Sequence, residues 1–268
     1  MAFARAVVAG GAVECLESSV RMTEQTLDEG LVVSCQDSFD GLRHVTAESP
    51  CPYLDARKFR SEVYAVSQLD GAVYERLLAR GYRRSGRVVY RPRCRGCAEC
   101  RQIRVPVREF VPTKSMRRVL RRNQDVRVAV QEPVVTEQKY QMYCRYLDGQ
   151  HDSAMSRRFD DFCDFLYESP MKTWEFEYLL GERPIGVGIV DRCPDGLSSV
   201  YMYFDPELRE RSLGTLSILR EIEYCRDLGL SYYYMGYYVA ESKTMAYKAR
   251  FRPNLILVGE DRWVSLRE

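Results

Sequence analysis

Two hydrophobic periods alternate along this chain, and each change of period marks an element. Residues 68–80 (QLDGAVYERLLAR) set Val73, Leu77 and Leu78 on one stripe and predict a helix stopped by Gly81. Residues 86–91 (GRVVYR) predict a strand leaving a tight turn, and residues 103–110 alternate apolar and polar as a second strand. Residues 115–123 (SMRRVLRRN) predict a short basic helix with Ser115 as its N-cap, and Pro133 closes this region. The texture then changes. Residues 136–149 carry Tyr140, Tyr143, Tyr146 and Leu147 at helical spacing, and residues 159–168 do the same with Phe159, Phe162, Phe165 and Leu166. Aromatic stripes at this spacing are core-facing helices. Three strands follow at 173–180, 185–192 and 197–204, separated by turn signals at 181–184 and 194–196. Residues 212–228 are an amphipathic helix ended by Gly229, residues 232–238 a further strand, and residues from about 254 a last one.

At 268 residues and 46% hydrophobic, the chain can build one large domain or two small ones. The pattern divides it into an N-terminal extension at 1–45, loosely ordered, a cysteine-rich basic domain at 46–132 and an α/β domain at 133–268. No apolar run nears the roughly 18 residues that span a bilayer, so no membrane contact is expected. The Ala/Val/Gly run after Met1 is ended early by Glu14 and does not read as a secretory signal. Ten cysteines in such a chain read as reduced thiols and point to the cytoplasm.

Charge changes the picture further. The net charge is only +2, yet between Arg80 and Arg127 sixteen Lys and Arg stand against three Asp and Glu. The remainder of the chain is therefore net acidic. A dense basic segment in an acidic protein is the footprint of a polyanion. Within it, Lys114, Arg117, Arg118, Arg121 and Arg122 fall at spacings that put two pairs on one helical face.

Four motifs stand in order: Cys51-Pro52-Tyr53-Leu54; Gly81-Tyr82-Arg83-Arg84-Ser85-Gly86; Tyr90-Arg91-Pro92-Arg93-Cys94-Arg95-Gly96-Cys97-Ala98-Glu99-Cys100; and Tyr247-Lys248-Ala249-Arg250-Phe251. Together they resemble the family that moves an amino acid from a charged tRNA onto a protein N-terminus, with the bacterial aspartate/glutamate leucyltransferases as the nearest pattern and the arginyl-tRNA–protein transferases as relatives. The resemblance implies an aminoacyl-tRNA donor, acceptor proteins beginning with Asp or Glu, no DNA partner, no cofactor for the transfer itself and a role in marking proteins for degradation. Leucine is the implied donor, with arginine as the alternative.

The element order from residue 134 also resembles a GNAT-like acyltransferase, whose central sheet splays beside a helix N-terminus. Here that junction falls at Tyr203-Phe204-Asp205-Pro206 and Arg211-Ser212-Leu213-Gly214-Thr215-Leu216. An acetyl-CoA-dependent N-acetyltransferase is therefore the rival reading, but acetyltransferases of that fold carry a small residue where this chain has Leu216, and that departure and the basic segment count against it. A non-enzymatic, zinc-stabilised nucleic-acid module is a second rival, but it leaves residues 173–251 without a role.

Aminolysis of an activated ester needs juxtaposition, a neutral amine and donors near the ester oxygen, and no covalent relay. Neither His44 nor His151 stands in a nucleophile context. Asp205 is the candidate to hold or deprotonate the amine, or else a turn aspartate before Pro206. Gly236 permits close backbone approach, and Tyr234 and Tyr237 with Tyr90 and Tyr203 are candidate stacking or donor groups. Ser212 and Gly214 are candidate phosphate contacts. Lys248 and Arg250, with Arg83 and Arg84, are candidate cations for the acceptor's carboxylate or the tRNA end, the alternative for the first two being solvated cations near a strand edge; Tyr247 beside them is a further candidate substrate contact, and the reader and the clamp are not separable here. Cys51, Cys94, Cys97 and Cys100 have the count for a structural zinc or an iron–sulfur centre, the alternative being buried thiols.

Overall fold

The computed structural model describes residues 43–150, 155–259 and 261–266. Most of the expected N-terminal extension and His151 lie outside them. Described structure begins with strand β1 (Arg43–Val45), which pairs antiparallel with β4 (Ser61–Ala65). Strands β2 (Ser49–Pro50) and β3 (Lys58–Phe59) form a separate short ladder. With β5 (Arg83–Ser85) and β6 (Val88–Pro92), a four-stranded sheet runs in the order β1-β4-β6-β5. Helix α1 (Gly71–Ala79) is capped by Asp70, whose carboxylate accepts from the N–H groups of Ala72 and Val73, and it buries Tyr74, Leu77 and Leu78.

An eight-stranded sheet carries the rest. Strand β7 (Arg101–Pro106) and helix α2 (Lys114–Arg122) lead to β8 (Val126–Gln131), then to α3 (Glu137–Gln150) and the single turn α4 (Phe159–Phe162). Strands β9 (Thr173–Leu180), β10 (Arg183–Cys193) and β11 (Gly196–Phe204) form an antiparallel meander. A 3-10 turn (Pro206–Arg211) opens into α5 (Leu213–Asp227), which returns the chain to β12 (Tyr232–Tyr238). A second 3-10 turn (Ala246–Arg250) precedes β13 (Leu255–Val258) and β14 (Arg262–Ser265). The order is β14-β13-β7-β12-β11-β10-β9-β8, and β11–β12 is the one parallel pairing among the described strands. Residues 46–132 thus contribute two strands, β7 and β8, to the large sheet.

The strands expected at 173–180 and 232–238 form over those residues, and the other expected strands and helices of the second half form within a few residues of their expected ends. Three expectations need correction. Thr113, not Ser115, caps α2: its hydroxyl accepts from the Met116 N–H at 3.3 Å, and Ser115 sits inside the first turn. The strand expected over 103–110 ends at Pro106, and Phe110 leaves the sheet to stack on Phe251. The helix expected over 159–168 widens into a π turn (Cys163–Tyr167), closed by the Glu168 N–H donating to the Cys163 carbonyl at 2.9 Å. The wider turn sets Phe165, Leu166 and Tyr167 against one aromatic cluster with Tyr143, Tyr201 and Tyr203.

Strand alternation sends Ile189 of β10 into that cluster and Val190 into the larger core with α5, and the register shift opposite them leaves Val200 of β11 as the extra residue. Between the small sheet and β10 lies a buried ion pair. Arg84 Nε and Nη2 each donate to Asp191 at 2.7 Å, and Thr173 donates to the same carboxylate at 2.7 Å. Both charged side chains are fully buried. Removing one partner strands the other in a dry interior. The Arg84→Met variant is expected to lose about 3–5 kcal/mol of stability by denaturant titration, and Arg84→Met/Asp191→Leu to regain most of it.

Candidate active site

Strands β11 and β12 pair only from Gly196–Ser198 against Tyr232–Tyr234. Beyond that they part, earlier than the expected junction at residues 203–206. A cavity of about 180 Å³ opens in the gap, walled by β11, β12, the first turns of α5, β5 and the turn at 246–250. Its lining includes Arg83, Tyr90, Gly214, Gly236, Tyr237, Tyr247 and Lys248, all expected at the site, and touches Arg84.

Ser199 is the first β11 residue without a β12 partner, and its carbonyl accepts from Arg83 Nη2. Arg83 Nη1 is buried and has no hydrogen-bond partner. Gly236, at φ +84°, makes room for this guanidinium: a Cβ there would lie 3.0 Å from Arg83 Cζ. The close approach expected at Gly236 is thus made by Arg83. Lys248 is buried beside it and donates to the Tyr237 carbonyl at 2.7 Å. Burial, then the neighbouring Arg83 charge, pushes the Lys248 ammonium down to about 7. Burial pushes the Tyr90 hydroxyl up to about 12, with Arg83 acting against that shift. No carboxylate lines the cavity among the described residues.

Other expected site residues stand elsewhere. Asp205 does not line the cavity: its carboxylate accepts from the Glu207 N–H at 3.1 Å, capping the 3-10 turn, and pairs with Arg183. Tyr234 faces the opposite side of β12, where its hydroxyl accepts from Arg104 at 3.1 Å. Tyr203 is core, its hydroxyl 2.8 Å from that of Tyr167. Arg84 is spent on Asp191, so its charge is not free for a ligand. Ser212 precedes α5 in the left-handed conformation (φ 57°) with no side-chain cap bond. Arg250 is exposed and outside the lining.

Helix α2 packs Met116, Val119 and Leu120 into the core that holds α5 and leaves Lys114, Arg117, Arg118, Arg121 and Arg122 exposed. Its C-terminal end is tied to the 3-10 turn that precedes α5: Arg122 donates to the Glu210 carbonyl, and Asn123 donates to the Arg211 carbonyl at 2.9 Å. The cation row therefore continues into the turn that opens α5.

Cys94, Cys97 and Cys100 line a second cavity of about 400 Å³ with Arg80, Arg91, Arg93 and Arg101, and Cys51 packs beside Cys100. The Cys94 thiol sits at the Arg60 backbone, accepting from its N–H at 3.4 Å. Among the described residues, no group of three or more His, Cys, Asp and Glu is arranged to hold a metal ion. The expected zinc or iron–sulfur centre thus has no formed ligand cage among the described residues.

The sequence reading missed Tyr53, Ser85, Ser199, Tyr233, Met235 and Thr244 in the lining. Ser217 and Ile218 were missed as well, although a signal was present for them: they share one helical stripe with the expected Gly214. For Ser199 there was none, because the point where two strands part is not written in either.

Residues 49–118 and 138–258 match the family models described as "Arginine-tRNA-protein transferase, N terminus" and "Arginine-tRNA-protein transferase, C terminus". The chain is 39% identical over 227 residues to the "Aspartate/glutamate leucyltransferase" of Alkalilimnicola ehrlichii, a span covering 83% of this chain and 95% of that one. It is 33% identical over 226 residues to the protein of the same name from Hahella chejuensis, covering 83% and 96%. The Pseudomonas aeruginosa protein of that name is 36% identical over 228 residues, again covering 83% and 96%. The chain belongs to the arginine-tRNA-protein transferase family and, within it, to the aspartate/glutamate leucyltransferases.

Proposed function

We propose that this protein transfers leucine from leucyl-tRNA to the α-amino group of proteins that begin with Asp or Glu, marking them for degradation in the cytoplasm. In this reading a GNAT-like acyltransferase domain works with a cysteine-rich basic N-terminal lobe. The observation that carries it is the pair Arg83 and Lys248, two buried cations in a cavity without a carboxylate. A buried cation needs an anion. The side-chain carboxylate of an N-terminal Asp or Glu supplies one, and the unpaired Arg83 Nη1 is placed to donate to it.

The same absence of acid separates leucine from arginine as donor. A guanidinium would find no counter-ion here, whereas Met202, Ile218, Met235 and Met245 offer an apolar wall suited to leucine. The N-terminus of α5 at Ser212 and Gly214 suits the phosphate of the tRNA 3′ end, and Tyr237, Tyr90 and Tyr247 suit its terminal base. Lys114, Arg117, Arg118, Arg121 and Arg122 extend that interface along the acceptor stem. Replacing an ester by an amide runs downhill, so the protein's task is to juxtapose two large substrates and shed a proton.

Labelled Leu-tRNA and Arg-tRNA, offered with peptides starting in Asp, Glu or Ala, test the reading directly. Label is expected on the acidic peptides from Leu-tRNA alone. Label from neither tRNA would sink the assignment.

Lys248→Met is expected to raise the KM for acidic peptides about 10- to 100-fold, the value of a hydrogen bond to a charged group, while kcat changes little. Since the free Lys248 titrates at about 7, it is neutral above that pH and must take up a proton to meet a carboxylate. Peptide KM should therefore rise as pH climbs through 7 in the wild type and stay flat in Lys248→Met. Arg118→Ala/Arg121→Ala should weaken tRNA binding without altering peptide KM. The salt slope of log affinity should become shallower by about one for each arginine–phosphate pair removed.

A further inference from the structure

Five Asp and Glu side chains are buried among the described residues, and four of them hold a cation. Glu62 meets Arg43, Arg91 and Arg93; Glu175 meets Lys139; Asp191 meets Arg84; and Asp205 meets Arg183. Glu221 alone pairs with no Arg or Lys. The Tyr233 hydroxyl donates to its Oε2 at 2.5 Å, and the Tyr178 hydroxyl lies 3.4 Å from Oε1. Gly188 leaves it space, since a Cβ there would lie 2.8 Å from Oε1.

An acid buried without a cation costs stability, and an apolar residue of that size would pack in its place. Its position suggests what offsets the cost. Gly214, Ser217 and Ile218 of α5 line the cavity, and Glu221 follows one turn after Ser217 on the same stripe, just beneath the cavity floor. Tyr233 is the link: it lines the cavity, and its hydroxyl is bonded to Glu221.

We propose that Tyr233 takes the proton of the attacking α-amine while handing its own to Glu221, so that Glu221 is the proton reservoir of the transfer and acts through Tyr233 without touching substrate. The inference rests on the leucyl-transfer reading above. The balance is closed. The amine nitrogen bonds to the ester carbonyl carbon, and that carbon's bond to the ribose oxygen breaks. The amine proton moves to the Tyr233 oxygen as the Tyr233 proton moves to the Glu221 carboxylate. The same path in reverse returns a proton to the departing ribose oxygen, and Glu221 is again ionised.

Burial pushes the Glu221 carboxyl up to about 8, the bonds from Tyr233 and Tyr178 acting against that shift. The attacking α-amine must be neutral and ordinarily titrates at about 7.7–8.0, so the amine and Glu221 lose their protons over the same pH range. The groups facing Glu221 are Tyr178 from β9, Tyr233 from β12 and Tyr247 from the turn at 246–250, with Arg220 on α5 itself near Tyr178. None of the tyrosines is ionised in this pH range, since burial raises each of them.

The test is kcat for leucine transfer at saturating Asp-peptide across about pH 6 to 9, for wild type, Glu221→Gln and Tyr233→Phe. In the wild type both the amine and Glu221 must be deprotonated, so log kcat should climb with a slope approaching about two below pH 7. In either variant only the amine titrates: the slope should fall to about one, with kcat near pH 8 down about 10²-fold. A purely structural role lowers kcat by the same factor at every pH, so a wild-type slope retained in either variant overturns the proposal. Tyr233→Phe leaves the acid in place and keeps the test open where Glu221→Gln does not fold. Wild-type protein that binds tRNA yet transfers no leucine would sink the functional reading, and the relay with it. Active wild type with unchanged slopes in the variants would sink the relay alone.

Discussion

Two parallel strands that run together for three residue pairs and then part set up everything at this site. Backbone groups released from a ladder need other partners when they are buried. The Ser199 carbonyl, first to lose β12, takes a hydrogen bond from Arg83, a side chain of the small sheet. That bond requires Gly236, whose missing Cβ lets the guanidinium lie against β12. Gly236 in turn sits at the register shift where β12 realigns with β7, and the Tyr237 carbonyl beyond it receives Lys248. One irregularity in pairing thus brings two cations from distant parts of the chain to the same gap.

What sets those cations apart from the paired ones is the fate of the acids. Evolution could have neutralised Arg83 as it neutralised Arg84, with a carboxylate in bidentate contact. Instead Asp191 is committed to Arg84, Glu175 to Lys139 and Asp205 to Arg183, each away from the gap. A cavity walled by apolar side chains with two uncompensated cations is a poor resting arrangement and a good receptor for a small acid. Burial, and after it the neighbouring Arg83 charge, lower the cost by favouring the neutral form of Lys248 when nothing is bound.

Periodicity made the fold legible where one face of an element is buried. The strand at Thr173–Leu180 and the one at Tyr232–Tyr238 stand where alternation and aromatic content put them. It failed where a local choice overrode the stripe: the cap of α2 moved two residues to Thr113, and the aromatic helix after Phe162 widened to a π turn. Arg83, Tyr90, Gly236, Tyr237 and Lys248 reach the cavity from the segments that carry the family resemblance or from the expected strand end. The motifs could not tell Arg83 from Arg84. Adjacent strand residues point to opposite faces, so one lines the gap and the other meets Asp191, and nothing in the dipeptide says which. Asp205 misled for a related reason. A carboxylate at a strand end before a proline suits a catalytic base and a turn cap equally, and only its pairing with Arg183 and the Glu207 N–H distinguishes them.

The character of the lining also narrows the chemistry. Among the described residues it holds no thiol, no imidazole and no carboxylate; its protic groups are tyrosines, serines, a threonine, two arginines and a lysine. None of these is an activated nucleophile of the kind that forms a covalent aminoacyl intermediate. Lys248 comes nearest, being neutral half the time at about pH 7, but its nitrogen is held by the Tyr237 carbonyl at the cavity's edge with Arg83. A site so furnished favours direct attack by the acceptor's own amine, with the protein supplying alignment, a counter-charge for the acceptor's side chain and a place for one proton. Such a mechanism also accounts for the site's position at the seam between the small sheet and the large one. In the proposed reading the acceptor carboxylate meets a cation of the first and the ester meets the parted strands of the second, so that both sheets are needed to bring the amine and the ester together.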